Sequence, residues 1–339
     1  MDKWYIQPGA ESDVVMSTRI RLARNLREEP FPARLNAQGK KEVCQRVKNA
    51  VMDSCSDFDY IEMENMSEAQ AVSLAEMHLI SPEFASERTG RALLLKKDES
   101  VSIMVNEEDH IRLQVLSPGL SFQEAYQQAC EIDEKLDERL GFAFHQTLGY
   151  LTQCPTNLGT GMRASVMLHL PALQECGQIA DLANTVSKLG LTIRGTYGEG
   201  TQASGAFYQL SNQVTLGISE EAALKNLEGI TRQVMVQERR ARTELLKNPV
   251  FLDKVWRAAG VLATARRLSS EEFMQMISLV RLGVAQNIFA IPETDLNRLM
   301  IEAQPATLMV HAKQELDAPL RDIQRAALVR EKLKSVVAG

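Results

Sequence analysis

Apolar side chains along this chain repeat at two spacings, and the switches between them mark out its parts. Residues 1–36 hold no sustained period and carry prolines at 8, 30 and 32, so they read as an extended lead-in segment. Over 40–55, Val43, Val47, Ala50 and Val51 fall on one helical face, and a second helical stretch covers 67–79. The pattern then turns strand-like. Ala92-Leu93-Leu94-Leu95 and Val101-Ser102-Ile103-Met104-Val105 flank a charged turn, 96–100, and predict a hairpin. Ile111-Arg112-Leu113-Gln114-Val115 alternates, as a half-buried strand does. Ser121-Phe122-Gln123-Glu124 has the form of a capping box. It opens a helix with Phe122, Ala125, Ala129, Ile132, Leu136 and Leu140 at helical spacing. Further strands are predicted at 165–170, 207–210 and 214–217, and helices near 178–189 and 219–246.

Strands that come in adjacent runs, without strict strand–helix alternation, favour an antiparallel sheet flanked by helices, an α+β fold. After Asn248-Pro249 the strand signal stops. Val255, Ala258, Ala259 and Leu262 form a stripe. Ser269 caps a helix holding Phe273, Met276, Ile277 and Val280, and helical segments follow near 294–303 and 318–336. The expected division is therefore a sheet-bearing domain over 1–247 and an all-helical domain over 248–339.

Composition narrows the classes of function. The chain has 339 residues, 45% hydrophobic and 24% charged, enough for two domains. A net charge of −6 argues against non-specific nucleic-acid binding. The start lacks an apolar signal core, and no apolar run is long enough to span a bilayer. Five cysteines in no metal-ligand spacing fit a reducing compartment, so the expected location is the cytoplasm.

The chemistry is concentrated in islands that mix arginine with carboxylates or glycine loops: Ser17-Thr18-Arg19-Ile20-Arg21, Asn106-Glu107-Glu108-Asp109-His110-Ile111-Arg112, Cys154-Pro155-Thr156-Asn157-Leu158-Gly159-Thr160-Gly161-Met162-Arg163, and Arg194-Gly195-Thr196-Tyr197-Gly198-Glu199. Any one arginine alone reads as solvated surface. Arg19, Arg21, Arg112, Arg163 and Arg194 together read as a polyphosphate clamp, since guanidinium matches phosphate oxygens bidentately. Transfer of a phosphoryl group needs such cations around the migrating charge. Three acids in a row are usually a solvated turn. At a strand end they can instead strip a proton from a basic nucleophile, and Glu108 is the candidate base. Glu199 is placed to hold the other side of the same group, so that the nucleophile is aimed in line. A lone cysteine is most often a small buried hydrophobe. Cys154, beside a glycine loop and arginines, is instead taken as a substrate contact, without covalent chemistry. No protein ligand for a metal emerges from the spacing.

These strings resemble, in order, the motifs of the phosphagen (guanidino) kinase family over roughly residues 12–245. The resemblance implies ATP and Mg²⁺, and phosphorylation of a guanidinium nitrogen. It assigns the nucleotide to Ser17 through Arg21, His78, Arg112, Arg163-Ala164-Ser165-Val166-Met167 and Arg194 through Gly198, and the guanidinium to Glu108, Glu199 and Cys154. Three departures point to the branch that acts on arginine side chains in proteins. The first arginine motif begins at residue 17, where small-molecule kinases of the family carry a helical domain ahead of it. Tyr197 stands where they usually have arginine, and a helical module follows the catalytic motifs. In that module, Arg321-Asp322-Ile323-Gln324-Arg325-Ala326 is similar to a regulatory phosphoarginine pocket, and Arg321 and Arg325 sit at i, i+4. The bland alternative is a charged helix face. Surplus apolar stripes predict a homodimer through the same module. The branch further implies a zinc-binding activator protein, a Clp ATPase/protease as receiver of the marked proteins, and a role in the stress response. A kinase for free guanidines and a non-catalytic phosphoarginine reader are the rival readings.

Overall fold

A computed structural model describes residues 3–196 and 203–333. In chain order the elements are β1 (Val15–Arg24), α1 (Ala37–Ser54), β2 (Phe58–Glu62), α2 (Glu68–Glu76), α3 (Pro82–Ser86), β3 (Ala92–Lys96), β4 (Val101–Val105), β5 (Ile111–Pro118), α4 (Phe122–Leu140), β6 (Phe144–His145), β7 (Gly149–Tyr150), β8 (Met162–His169), α5 (Pro171–Glu175), α6 (Ile179–Lys188), β9 (Leu191–Gly195), β10 (Phe207–Asn212) and α7 (Glu220–Leu245). Helices α8 (Pro249–Thr264), α9 (Ser270–Ala285), α10 (Glu293–Glu302), α11 (Pro305–Ala312) and α12 (Ala318–Leu333) complete it.

The described residues form an eight-stranded sheet in the order β2-β3-β4-β5-β1-β8-β10-β9, every neighbouring pair antiparallel. Strand alternation gives this sheet two unlike faces. Ile20, Leu22, Leu113, Val115, Ala164, Val166 and Leu210 face α1, α4, α6 and α7 and join one continuous core. Each fully buried aliphatic side chain there contributes about 1.5–3 kcal/mol. Helix α1 starts where Asn36 Oδ1 accepts from Gly39 N at 2.8 Å, and it buries the Val43, Val47, Ala50 and Val51 stripe. The opposite face differs along its length. Leu93, Leu95, Met104 and Leu116 lie under α2 and α3 at one end. At the other end Phe207 packs into the core of the C-terminal helices. Between these covers the middle strands present a polar surface.

Several expectations change. The lead-in segment contains β1, paired on both sides by β5 and β8, so the supposed approach to the fold is its central strand. Its polar alternate residues face the open part of the sheet, which hid the strand from an apolar count. Residues 214–217 form no strand: Thr215 Oγ1 instead donates to Thr156 O and Leu158 O at 3.0 and 2.7 Å, which fixes a neighbouring loop. Ser121 does not cap α4 through the backbone; its hydroxyl donates to Glu124 Oε2 while its own N–H donates to Thr18 Oγ1. The capping box that does close is Ser67–Gln70 at α2. That helix ends at Glu76, short of the predicted 79. Strands β2 and β9 and helix α11 were not foreseen, being short.

The C-terminal helices are tied to the rest by polar contacts as well as by Phe207. Glu76 accepts from Ala306 N, Thr307 N and Thr307 Oγ1, capping α11 from outside. Arg281 donates to Ser12 O, Asn297 to Ile6 O, and buried His169 meets Ser278 Oγ at 2.8 Å. No helix among the described residues is long and apolar enough to cross a membrane.

Candidate active site

Register aligns the strand-borne arginines. Arg21 lies opposite Arg163 on β8 and Gln114 on β5, and Arg19 lies opposite Ser165. Arg112 leaves β5 beside Ala23, and Arg194 leaves β9 opposite Gln209. Arg19 donates to Ser165 Oγ at 3.4 Å and to Gln209 Oε1 at 2.5 Å. Arg21 Nε and Arg163 Nε are buried without a hydrogen-bond partner among the described residues. Burial, then the neighbouring Arg112 and Arg163, pull the Arg19 guanidinium down to about 10, and the same causes together with Arg19 lower Arg21 further. Arg163 is lowered by burial, then by Arg194 and Arg112. Guanidinium stays protonated in proteins. Burial comes first and like charge second in each case, and a polyphosphate would neutralise that crowding.

The acidic island forms the β4–β5 turn, started by Asn106 at φ 62° and fixed by Asn106 Nδ2 donating to Lys40 O and Gly90 O. Its residues have separate duties. Glu107 turns inward, pairs with Arg112 at 2.5 Å and accepts from Ser81 Oγ. Asp109 is buried; its Oδ1 accepts from Asn25 Nδ2 at 2.6 Å and Gln153 N at 2.8 Å. His110 Nδ1 accepts from Leu26 N at 3.1 Å, so Nε2 carries the hydrogen and meets Pro30 O at 2.9 Å. Burial holds its ring neutral, down to about 4. Glu108 alone of the three acids stays 37% exposed, loosely paired with Arg112 at 3.3 Å.

Cys154 stands before a short helical turn begun by Pro155, and its Sγ lies 3.0 Å from Thr156 Oγ1. The loop returns through glycines that permit close passage. At Gly161, φ 61°, a Cβ would meet Arg24 Nη1 at 2.6 Å; at Gly159, φ 106°, it would meet Thr215 O at 2.2 Å. Arg24 pairs with Asp133 at 2.8 Å and donates to Thr160 O at 3.1 Å, anchoring this return.

These parts bound two cavities with one common wall. One, of about 550 Å³, is lined by Glu107, Glu108, Cys154, Asn157 and Gly161. The other, of about 670 Å³, is lined by Arg19, His78, Arg194, Gly195 and Thr196. Arg21, Glu83, Arg112, Thr156 and Arg163 line both. His78 sits at φ 61°, its carbonyl accepting from Gln114 Nε2, and burial followed by Arg19 holds its ring down to about 3. The sequence reading missed Glu83, Arg91, Gln153 and Thr156 as lining residues. Gln153 and Thr156 flank Cys154 closely enough to have been found; Glu83 and Arg91 sit outside every motif.

Other anticipated residues lie elsewhere. Ile20, Ala164 and Val166 face the core, on the alternate side of the strands from the arginines. Thr18 is buried, its hydroxyl donating to Gly119 O at 2.7 Å. Ser17 and Met167 line a small apolar cavity that touches His78 from behind. Tyr197, Gly198 and Glu199 fall outside the described residues. In α12, Arg325 is buried and donates to Ala303 O, Leu268 O and Asp322 Oδ1 at 2.8–2.9 Å, so it does not clasp outward alongside Arg321. Arg321 donates to Leu316 O at 2.8 Å, and Ala326 is buried in the helical core.

An arginine-walled pocket that shares a wall with a carboxylate- and thiol-lined one has the charges that phosphoryl transfer requires. Residues 40–241 match the family ATP:guanido phosphotransferase, C-terminal catalytic domain, and residues 248–338 match the Protein-arginine kinase McsB C-terminal domain. The chain belongs to the ATP:guanido phosphotransferase family. It is 47% identical to the protein-arginine kinase of Brevibacillus brevis, over 98% of this chain and 95% of that one. It is 45% identical to the protein-arginine kinase of Halothermothrix orenii, over 98% and 97%. Among solved structures it is similar to a lombricine kinase (TM-score 0.59, 27% identity, 68% of each chain). It is also similar to the duplicated taurocyamine kinase of Schistosoma mansoni with bound transition state analog components (TM-score 0.61, 26% identity, 77% of this chain and 38% of that one).

Proposed function

We propose that this chain is an ATP-dependent protein-arginine kinase, moving the γ-phosphoryl group of ATP to a guanidinium nitrogen of arginine side chains in proteins. The observation that carries the reading is the shared wall of Arg21, Arg112 and Arg163 between the two cavities. Arg19, Arg194 and His78 hold the nucleotide on one side. Glu108, on the other side, takes the proton from the guanidinium as its nitrogen attacks phosphorus. Cys154 contacts the same guanidinium, and Glu199 orients it. The shared arginines steady the charge of the phosphoryl group as it passes. The orphaned Nε donors of Arg21 and Arg163 suit phosphate oxygens. Mg²⁺ supplies further charge neutralisation when carried by the nucleotide; among the described residues no group of three His, Cys, Asp or Glu could hold it without phosphate.

Our reading puts the domain boundary at 247/248, and the Asn248 Oδ1 cap on α8 supports it. Arg321 and Asp322, half-buried on α12, are the proposed contacts for a phosphoarginine ligand, and Arg325 and Ala326 lie beneath them as the packed base of that site. The exposed Val250, Trp256, Leu320 and Ile323 support a homodimer through the helical module. A zinc-binding activator, delivery of marked proteins to a Clp ATPase/protease, a stress-response role and a cytoplasmic location complete the reading.

Labelled ATP incubated with casein and with free arginine tests it. Acid-labile label in the protein is the expected outcome. Label in free arginine alone makes the chain a small-molecule guanidine kinase, and no label in either overturns the kinase reading and leaves the phosphoarginine reader, which binding of phosphoarginine would then have to show.

A further inference from the structure

Glu108 and Cys154 reach one cavity from two chain segments far apart in sequence. Among the described residues a carboxylate joins those segments. Asp109, next to Glu108, accepts at Oδ1 from the backbone N–H of Gln153, next to Cys154, at 2.8 Å. Asn25 locks the junction from β1's end. Its Nδ2 donates to Asp109 Oδ1 at 2.6 Å and to Leu151 O at 3.0 Å, and its Oδ1 accepts from His110 N at 2.9 Å. Asp109 and Asn25 are each 1% exposed, so solvent does not compete for these bonds. Asp109 Oδ2 is buried with no hydrogen-bond partner among the described residues. Burial raises the carboxyl above the usual range, which adds to the cost of keeping an acid there.

We infer that Asp109 is the positioning residue of this active site: through the Asp109–Gln153 bond it sets the spacing between the carboxylate of Glu108 and the thiol of Cys154. It touches no substrate. It fixes where the two groups that hold the guanidinium stand relative to each other, and a misplacement of about 1 Å in such a pair costs on the order of 100-fold in rate. Arg19, Arg194 and His78, on the nucleotide side, are carried by other segments of the chain. Only Oδ1 is used, so an asparagine at 109 with its oxygen in the same place keeps the junction.

The inference rests on the assignment of Glu108 and Cys154 to the guanidinium. The test is steady-state phosphorylation of an arginine-containing peptide, with ATP binding measured separately, for Asp109→Ala, Asp109→Asn, Asn25→Ser and Glu108→Gln. Asp109→Ala is expected to lower kcat 30- to 100-fold with the Kd for ATP changed less than threefold. Asp109→Asn is expected to recover kcat to within about fivefold of the parent. Asn25→Ser reads the same kcat loss from the other side of the junction should Asp109→Ala not fold. Alkylation of Cys154 by iodoacetamide, and its protection by peptide, should weaken in Asp109→Ala and return in Asp109→Asn. A normal kcat in Asp109→Ala, or an asparagine variant as poor as alanine, overturns the inference. A fully active Glu108→Gln overturns instead the assignment on which it stands.

Discussion

Two arginine clusters in this molecule were read from the sequence as phosphate binders, and the structure treats them in opposite ways. In the cleft, Arg21 and Arg163 are deep, crowded by like charge, and keep orphaned donors. In α12, Arg325 is buried more completely, but two carbonyls and Asp322 occupy its donors. Burial therefore does not distinguish a binding arginine from a structural one. What distinguishes them is whether the fold has already supplied the acceptors. A guanidinium whose acceptors are missing is waiting for a ligand; one whose acceptors are present is holding two elements together.

The comparison can be broken at several points. The largest expected effect is at Glu108. Glu108→Gln should lower kcat roughly 10³-fold, within the range for loss of a general base, with ATP affinity nearly unchanged; stopped-assay kinetics with separate nucleotide titration checks it. Arg163→Ala should weaken ATP binding roughly 10- to 100-fold, since it removes charged hydrogen bonds to phosphate. Yet it should leave thermal stability unchanged or slightly higher, because it relieves crowding with Arg112 and Arg194. Arg325→Ala should do the reverse. It strands Ala303 O and Leu268 O and should cost about 3 kcal/mol of stability in denaturant titration, with the cleft's ATP affinity intact. If both alanines gave the same profile, the distinction drawn above would be lost.

A further effect is expected with pH. His110 is held neutral, its ring down to about 4 from an ordinary value near 6.5. The unfolded chain takes up the proton first as pH falls, so the contribution is complete above about 6.5 and is lost as pH drops toward 4. The shift corresponds to on the order of 3 kcal/mol. Melting temperature should decline over that window, and less steeply in a His110→Asn variant, which has no ring to titrate. A flat profile in the parent would show that His110 is not buried neutral.

Much of the candidate site was legible because the strings that line its cavities are local. Asn106 to Arg112 and Cys154 to Arg163 each announce their chemistry within about ten residues. Long amphipathic helices such as α1, α4 and α7 were legible for a similar reason, since their apolar stripes repeat often enough to stand out. Strand β1 was not. Its exposed-face residues are the arginines themselves, and a strand with functional polar positions lacks the apolar signature of its core neighbours.

The sequence by itself determined which residue types would meet a phosphate and a guanidinium, and that a sheet with helices would carry them. Covalent order also placed Asp109 beside Glu108 and Gln153 beside Cys154. Only the tertiary structure decided which acid faces the cavity, which turns in to Arg112, and which binds the Gln153 backbone. The same holds for which arginines remain unanswered. Those outcomes depend on strand register and on acceptors contributed by distant segments, and neither is encoded in any short stretch of residues.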